Sequence, residues 1–142
     1  MISVLFLCRH NAARSPMAEA YLKKLGGDKF NVKSAGLNPV VLNPFAIEVM
    51  KEDGIDISDN ATQDVIEVVN NNGFFNYVIT VCDEAANYCA PVLQGLNNRL
   101  SWSFEDPSQF TGTHKEKLEA TRQLRDKIKQ AVVSLVTQLE IQ

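Results

Sequence analysis

The stretch VLFLCRHNAARSPMAEA, residues 4–20, joins an apolar segment to a basic one. Residues 2–7 are almost all apolar, which is typical of a strand buried on both faces of a parallel sheet. Ser15 followed by Pro16 has the residue types of a helix cap and a first helical position, so a helix is predicted from here to about Leu25. The stretch therefore predicts a strand, a tight basic loop and a helix in succession.

Strands and helices are predicted to alternate along the rest of the chain. Further strands are predicted at 30–36, 77–82 and 99–104. Helices are predicted from Asn43-Pro44 to about Gly54 and over 62–71. A last helix is predicted from a capping box of Thr113 and Glu116 to about Leu139. This alternation favours an α/β fold in which a four-stranded parallel sheet carries helices on both faces, as a three-layer sandwich. No repeat or linker interrupts the pattern, so residues 1–142 are expected to form a single domain.

Composition and charge narrow the class of protein. The chain has 142 residues, of which 45% are hydrophobic and 22% charged, as in a globular domain of ordinary size. Its net charge of -3 argues against general nucleic-acid binding, and no apolar run reaches the roughly 18 residues of a membrane span. The N-terminus lacks the pattern of a signal peptide, so we expect a cytoplasmic protein, and a monomer. Three cysteines, an odd number, do not form a secreted disulfide framework and direct attention to catalysis or redox chemistry.

Cys8 and Arg14 enclose the predicted loop with the spacing C-x5-R. Amides of a tight loop that leads into a helix form an anion-binding concavity, and the same helix end favours the reactive thiolate. A guanidinium binds two oxygens of a tetrahedral oxyanion at once, which lysine does not. Cys8 is therefore predicted to be a nucleophile aimed at an oxyanion held by Arg14 and the loop residues Arg9, His10, Asn11, Ala12, Ala13 and Ser15. The alternative is an inert, buried Cys8 beside a surface arginine.

For three polar residues of this region, the sequence predicts a specific role. The Ser15 hydroxyl is expected to donate to the sulfur as well as cap the helix, and the Asn11 amide to brace the loop. His10 tolerates a positive φ better than most residues, and both it and His114 are assigned structural roles.

Cys82 and Cys89 stand seven positions apart in VCDEAANYCAP. Cys82 ends a predicted strand, and the carboxyl ends of parallel strands meet at one edge of a sheet, so Cys82 is expected near Cys8. If residues 83–88 were helical, the two Cα atoms would lie about 10 Å apart. A disulfide requires less than about 7 Å, so the pair suits a transient redox couple that forms when the segment unwinds. Two unrelated thiols are the alternative.

Asp106 is the candidate general acid. It precedes Pro107, which favours extended backbone, and it lies in the loop after the predicted fourth strand. This loop leaves the same edge of the sheet, so the carboxyl is expected to face Cys8 and to protonate a leaving oxygen. An Asp-Pro turn without chemistry is the alternative, and Glu105 is the nearby rival.

Together these residues resemble the low-molecular-weight protein tyrosine phosphatase superfamily and, within it, the thioredoxin-coupled arsenate reductases. The similarity lies in four segments in the family's order: VLFLCRHNAARSPMAEAYL, VKSAGLNPVVLNPFAIEVMKEDGIDIS, VITVCDEAANYCAP and WSFEDPS. The first and last segments occur in phosphatases and reductases alike, whereas the spaced pair Cys82 and Cys89 is typical of the reductases. Ala13 stands where many relatives carry a second cysteine, and Ser108 to Phe110 stand where phosphatases tend to carry tyrosines. Both departures favour the reductase.

The resemblance implies a disulfide relay without an organic cofactor. Cys8 attacks arsenate held by the loop amides and Arg14, and Asp106 protonates the departing hydroxyl. Cys82 then attacks the sulfur of Cys8, which releases arsenite. Cys89 takes over Cys82, so that thioredoxin reduces an exposed Cys82–Cys89 disulfide.

The resemblance also implies a potassium site and draws attention to one unusual residue. The potassium ligands would be Asn11, Glu19 and Ser34, with Asp64 or Gln63 as a further ligand. Many relatives carry glycine where this chain has His10, so the loop geometry at that position is expected to differ.

Two other functions stand as alternatives. A phosphatase for phosphotyrosine or a small phosphoester would work through a phosphorylated Cys8, and Cys82 and Cys89 would be incidental to it. A phosphocysteine carrier of the sugar phosphotransferase type shares the general architecture but leaves Arg14 and Asp106 without a role.

Overall fold

The computed structural model describes residues 1–72, 74–82 and 98–141 of the chain. Within these residues, four strands form one parallel sheet in the order β2-β1-β3-β4. The strands are β1 (Ile2–Cys8), β2 (Phe30–Gly36), β3 (Tyr77–Thr80) and β4 (Asn98–Ser101). The α/β fold with a four-stranded parallel sheet is thus confirmed.

The helices of the described residues are α1 (Arg14–Gly26), α2 (Pro44–Glu52), α3 (Val65–Asn72) and α4 (His114–Ile141). Two of the predicted start signals act as expected. The Asn43 carboxamide oxygen accepts a hydrogen bond from the Phe45 amide at 2.8 Å, with Pro44 at the first helical position. At the start of α4, Thr113 and Glu116 exchange side-chain-to-backbone hydrogen bonds of 3.1 and 3.3 Å, which is the predicted capping box.

The core of the protein surrounds β1. Residues 4–8 are all buried, and because successive strand residues point to opposite faces, both faces of the sheet are covered. α1 packs against β1, β2 and α4, and α2 packs against α4. No helix of the described residues is long and apolar enough to cross a membrane.

Several predicted boundaries are wrong by a few residues, each for a visible reason. β4 ends at Ser101 instead of residue 104: the Trp102 amide still donates to the Thr80 carbonyl at 2.7 Å, but the chain then turns away from the sheet. α3 begins at Val65 instead of residue 62 because Asp64 forms an isolated bridge with Gly36 before the helix starts. β3 ends at Thr80, although the Val81 amide continues the pairing to the Leu7 carbonyl at 2.9 Å.

The sheet register places the candidate residues at one edge. Cys8, the last residue of β1, pairs with Gly36 of β2. On the other side of β1, Leu7 pairs with Thr80, so that Cys82 follows the adjacent strand end by two residues. The predicted segment of residues 83–88 and Cys89 lie outside the described residues.

Candidate active site

The Cys8 thiol is buried, with 1% of its surface exposed, and the loop after β1 places two polar groups against its sulfur. The Asn11 amide donates to Sγ at 3.2 Å, and the Ser15 Oγ lies 2.9 Å from it. The sulfur thus lies in a polar environment although the residue is buried. Cys8 is buried at a strand end, as the alternative interpretation also expected, but the groups against its sulfur are polar.

The Asn11 side chain connects the sulfur to a buried polar network. Its Oδ1 must face the Gln63 amide, which only donates, at 2.8 Å, and its Nδ2 therefore donates to Ser15 Oγ at 2.8 Å and Ser34 Oγ at 3.0 Å. Since Ser15 accepts from Asn11, its own proton is available to the sulfur. The predicted bracing role of Asn11 is confirmed. The positive φ of the loop belongs to Asn11, at 51°, and not to His10.

The predicted helix cap at Ser15 is wrong. α1 begins at Arg14, its N-cap residue is Ala13, and no side chain caps it. The Ser15 hydroxyl is engaged with the sulfur and Asn11 instead. A residue that has the type of a cap thus serves the nucleophile.

Backbone pairing with residues 37–43 turns the amides of the loop away from that segment. The carbonyls of Cys8, Arg9, His10 and Ala12 accept hydrogen bonds of 2.7 to 3.2 Å from the amides of Leu37, Asn38, Val40 and Asn43. No described peptide bond is cis, so each N–H points opposite to the carbonyl of its own peptide unit. The amides of Arg9, His10, Asn11 and Ala13 consequently face away from residues 37–43. This arrangement is a nest of donors suited to an anion.

Arg14 closes the other side of the loop. Only 4% of it is exposed, and its Nη1 donates to the Phe104 carbonyl at 3.2 Å. Its Nη2 lies 3.6 Å from Asp106 Oδ2. A buried guanidinium in this position is not a solvated surface charge, and the two contacts connect the loop after β1 to the segment after β4.

Asp106 lies beside Arg14 and begins the 3-10 turn Pro107–Gln109. Its Oδ1 accepts from the Ser108 amide at 2.9 Å and the Ser108 hydroxyl at 2.8 Å. Burial acts to raise the pKa of Asp106, but the Ser108 hydrogen bonds and the charge of Arg14 outweigh it and hold this pKa below its ordinary value. The carboxyl is therefore ionised at neutral pH.

A cavity of about 320 Å³ opens above Cys8. Arg14 and Asp106 share its wall with the sulfur, which agrees with the predicted position of Asp106. The rival Glu105 does not line it and faces a different cavity beside α4. The remaining lining residues are His10, Ala12, Ala13, Val40, Val41, Asn43, Pro44, Phe45, Pro107, Ser108, Phe110 and Lys117.

The structure brings the predicted potassium ligands Asn11, Glu19 and Ser34 together, with the backbone of the alternative ligand Gln63 against Asn11, but it engages their oxygens. Ser34 Oγ donates to Glu19 Oε1 at 2.6 Å, Glu19 Oε2 lies 2.9 Å from the Lys23 ammonium, and Asn11 Oδ1 accepts from the Gln63 amide. The Asp64 carboxylate is turned toward the first turn of α3, where it accepts from the Ile66 amide at 3.1 Å. Oxygen ligands suit a hard cation, but here Glu19 Oε2 pairs with the Lys23 ammonium and the other oxygens are engaged in hydrogen bonds. Potassium binding stays a prediction.

Two groups of the site were missed from the sequence. Gly36 lies against the loop so closely that an added Cβ would be 2.9 Å from the Asn11 amide nitrogen and 2.9 Å from the His10 carbonyl carbon. A glycine within or at the end of a strand often marks a close approach of another backbone segment, so this role of Gly36 could have been predicted from the sequence. The Phe104 carbonyl that holds Arg14 carries no signal, because any residue type supplies a carbonyl.

Comparison with known proteins agrees with this geometry. Residues 3–142 match the profile of the family described as low molecular weight phosphotyrosine protein phosphatase. The chain belongs to this family. Its C-x5-R loop has Cys8 at the end of β1 and Arg14 at the start of α1.

Named relatives within the family are arsenate reductases. The chain is 42% identical over 127 residues to the Arsenate reductase of Bacillus subtilis, covering 88% of each chain. It resembles a solved structure titled "An arsenate reductase in oxidized state" with a TM-score of 0.81 and 33% identity, covering 97% of this chain and 98% of that one. A thioredoxin-dependent arsenate reductase of Corynebacterium glutamicum matches with a TM-score of 0.74 and 25% identity, covering 99% of this chain and 62% of that one.

Proposed function

We propose that the chain reduces arsenate to arsenite with Cys8 as nucleophile and thioredoxin as the reductant. The observation that carries the proposal is the placement of Cys82 two residues beyond the end of β3, the strand that pairs with β1 at the edge of the sheet where Cys8 ends β1. The arsenate reductases of the family support the choice of substrate. Reduction of an oxyanion through Cys8 needs a further thiol to displace the product from its sulfur, whereas hydrolysis of an ester needs only water.

The first step joins arsenic to sulfur. The Cys8 thiolate attacks the arsenic atom of arsenate held by the loop amides and Arg14, and one As–O bond breaks. The departing hydroxide takes a proton from Asp106 and leaves as water. A bound dianion beside Asp106 raises the pKa of its carboxyl by like-charge repulsion, so the proton donor forms when the substrate binds.

The second step transfers two electrons. The Cys82 thiolate attacks Cys8 Sγ, and the electron pair of the S–As bond passes to arsenic, which leaves as arsenite and is thereby reduced from As(V) to As(III). Cys89 then displaces Cys8 from the Cys8–Cys82 disulfide and regenerates the thiolate. A dithiol of the thioredoxin type reduces the resulting Cys82–Cys89 disulfide by two further exchanges.

One turnover with arsenate and no reductant tests this sequence. Mass mapping of the wild-type protein is expected to find a Cys82–Cys89 disulfide, and the matched Cys89→Ser variant is expected to stop at Cys8–Cys82. Cys82→Ser should release no arsenite in the presence of thioredoxin. Continued arsenite release by Cys82→Ser would disprove the relay.

A phosphatase is the second candidate, because the cavity is lined by apolar side chains. Val40, Val41, Phe45 and Phe110 extend its wall beyond the loop, and the volume of about 320 Å³ leaves space for an organic group on the oxyanion. Hydrolysis of p-nitrophenyl phosphate that is fast and unchanged by Cys82→Ser would favour this function. Slow hydrolysis with rapid arsenite release would favour the reductase.

A further inference from the structure

We propose that Trp102 positions Arg14 by holding the Phe104 carbonyl against its guanidinium. Anion binding at the Cys8 loop is thereby coupled to the surroundings of the indole ring. The proposal rests on the proposed function in one respect, that Arg14 binds the anion, and it does not require the reduction of arsenate. Trp102 does not line the cavity, so it acts through Phe104 and not by contact with the substrate.

The side chain and the backbone of Trp102 are attached to different strands of the sheet. Its backbone follows β4 directly, and its amide donates to the Thr80 carbonyl at 2.7 Å, which continues the pairing with β3. The indole extends toward β1, where its ring centroid lies 5.8 Å from that of Phe6. Phe6 is fully buried, and by the alternation of a strand it points to the same face of the sheet as Cys8. Trp102 is therefore packed on the strand that carries the nucleophile.

The segment after β4 connects this packing to the site. Exposure alternates along residues 101–106: Trp102, Phe104 and Asp106 are partly buried, and the residues between them are exposed. A period of two is that of an extended chain, so these three side chains face the protein from one side of the segment. The Phe104 ring lies edge-on to the indole at 80°, with the centroids 6.2 Å apart, which is a favourable geometry for two aromatic rings. The position of Phe104, and of its carbonyl, thus depends on Trp102.

Both terminal nitrogens of Arg14 contact this segment. Nη1 donates to the Phe104 carbonyl at 3.2 Å, and Nη2 lies 3.6 Å from Asp106 Oδ2. A carboxylate competes with an anion for the guanidinium, whereas a neutral carbonyl takes one of its five N–H groups and leaves its charge uncompensated. If the carbonyl moves away, the buried guanidinium loses this hydrogen bond and turns toward Asp106. The Phe104 carbonyl therefore keeps the donors of Arg14 available to an anion in the loop.

Removal of the indole should weaken the binding of inorganic phosphate. An arginine that is already held in one orientation loses little rotamer freedom when an anion binds, and this difference corresponds to about twofold to tenfold in Kd. Calorimetric titration with phosphate should show such an increase in Kd for Trp102→Ala. Trp102→Phe retains an aromatic ring against Phe104, so its Kd should lie closer to that of the wild type.

Phe75→Leu is the matched control for a loss of aromatic packing. Phe75 is fully buried just before β3, at the amino end of the strands, and it does not line the cavity. Phe75→Leu should therefore lose stability in urea unfolding and keep the Kd of the wild type for phosphate.

The fluorescence of the wild type supplies a second measurement, which requires no substitution. Trp102 is the only tryptophan of the chain, so the indole emission reports this residue alone. Phosphate in the loop adds an acceptor for Arg14 and so shifts its contact with the Phe104 carbonyl. We expect the emission to change with phosphate and to saturate at the calorimetric Kd, and to stay constant with chloride at equal ionic strength. In Phe104→Leu, which keeps the carbonyl but not the aromatic contact, the change should be smaller.

Three results would overturn the proposal. They are a Trp102→Ala Kd equal to that of the wild type, an equal increase of Kd in Phe75→Leu, and a wild-type emission that does not respond to saturating phosphate. Because phosphate is not reduced, the measurements are independent of turnover, and phosphate binding without arsenite release contradicts the proposed function alone. A wild type that binds no phosphate contradicts both this proposal and the anion loop of the proposed function.

Discussion

At the scale of single residues, neighbouring polar groups define the environment of the Cys8 sulfur. Asn11 adopts a φ of 51°, which few residues other than glycine and asparagine tolerate, and from this conformation its amide reaches the sulfur at 3.2 Å. Its side chain satisfies Ser15, Ser34 and the Gln63 amide at the same time. Asparagine at this position both adopts the positive φ and makes the side-chain hydrogen bonds, whereas glycine would adopt the φ but make none of these hydrogen bonds.

Replacement of Ser15 tests the hydroxyl beside the sulfur. Ser15→Ala removes a donor at 2.9 Å from Cys8 Sγ, so the thiolate is less favoured and iodoacetamide should alkylate Cys8 more slowly at neutral pH. We expect a decrease of about tenfold or more, as one lost hydrogen bond to a charged group implies. Ser15→Thr retains the hydroxyl and serves as control. An unchanged rate in Ser15→Ala would show that the hydroxyl does not act on the sulfur.

Gly36 allows the second strand to approach the loop. In Gly36→Ala, the new Cβ would lie within 3.0 Å of three backbone atoms of Arg9, His10 and Asn11, which cannot move without displacing the loop. We expect unfolding free energy to decrease by about 1–3 kcal/mol and anion binding at Cys8 to be lost.

Gly26→Ala is the matched control for Gly36→Ala. Its added Cβ would meet the Phe30 ring at 2.3 Å, away from the loop. Urea unfolding together with phosphate binding distinguishes the two variants, since Gly26→Ala should lose stability but retain binding. Normal phosphate binding in Gly36→Ala would show that the loop absorbs the methyl group.

At the scale of secondary-structure elements, the sequence predicts the order and type of the described strands and helices, and it fails where side chains are used by the site. The apolar run of β1, the Asn43-Pro44 start of α2 and the Thr113 start of α4 are local signals, and all three are confirmed. The start of α1 is not, because Ser15 binds the sulfur instead of the helix end. β4 was predicted too long because the sequence does not show that the chain turns after Trp102 to bring the Phe104 carbonyl to Arg14.

The contact between α1, α2 and α4 predicts how stability depends on pH. Asp53, at the end of α2, accepts from the Tyr21 hydroxyl at 2.6 Å and the Lys129 ammonium at 3.0 Å, and these two hydrogen bonds hold the pKa of Asp53 below its ordinary value. A lowered pKa in the folded state means that the carboxylate stabilises the fold above about pH 4, and that this contribution is lost as the pH falls further.

Asp53→Asn should therefore reduce the free energy of unfolding by about 1 kcal/mol at neutral pH and by less in acid. Urea unfolding at a series of pH values measures this difference. Asp28→Asn, at an exposed position on another segment, is the control and should follow the wild type. An Asp53→Asn deficit that is equal at all pH values would show that packing, and not the charge, is responsible.

At the scale of the whole molecule, the site is assembled from segments far apart in the chain. The hydrogen bond between Arg14 and the Phe104 carbonyl joins residues 90 positions apart, and it connects the loop after β1 to the segment after β4. The sequence predicts that such segments share one edge of the sheet, because parallel strands have their carboxyl ends together. It does not predict which carbonyl or carboxylate completes the cavity, since that depends on how the chain turns after it leaves the sheet.

Because the cavity joins distant segments, an anion bound in it should stabilise the whole fold. Inorganic phosphate at a hundred times its Kd is expected to increase the free energy of unfolding by about 2.7 kcal/mol and to raise the Tm by several degrees. In Arg14→Lys this increase should largely disappear, since an ammonium does not bind two oxygens of the anion side by side. Arg122→Lys is the control, because it alters an ion pair with Glu52 that does not line the cavity. It should lower the Tm without phosphate slightly and leave the increase caused by phosphate intact. Thermal scans of the three proteins with phosphate, and with chloride at equal ionic strength, measure the Tm and its increase with phosphate. If this increase is as large in Arg14→Lys as in the wild type, the anion binds somewhere other than this loop.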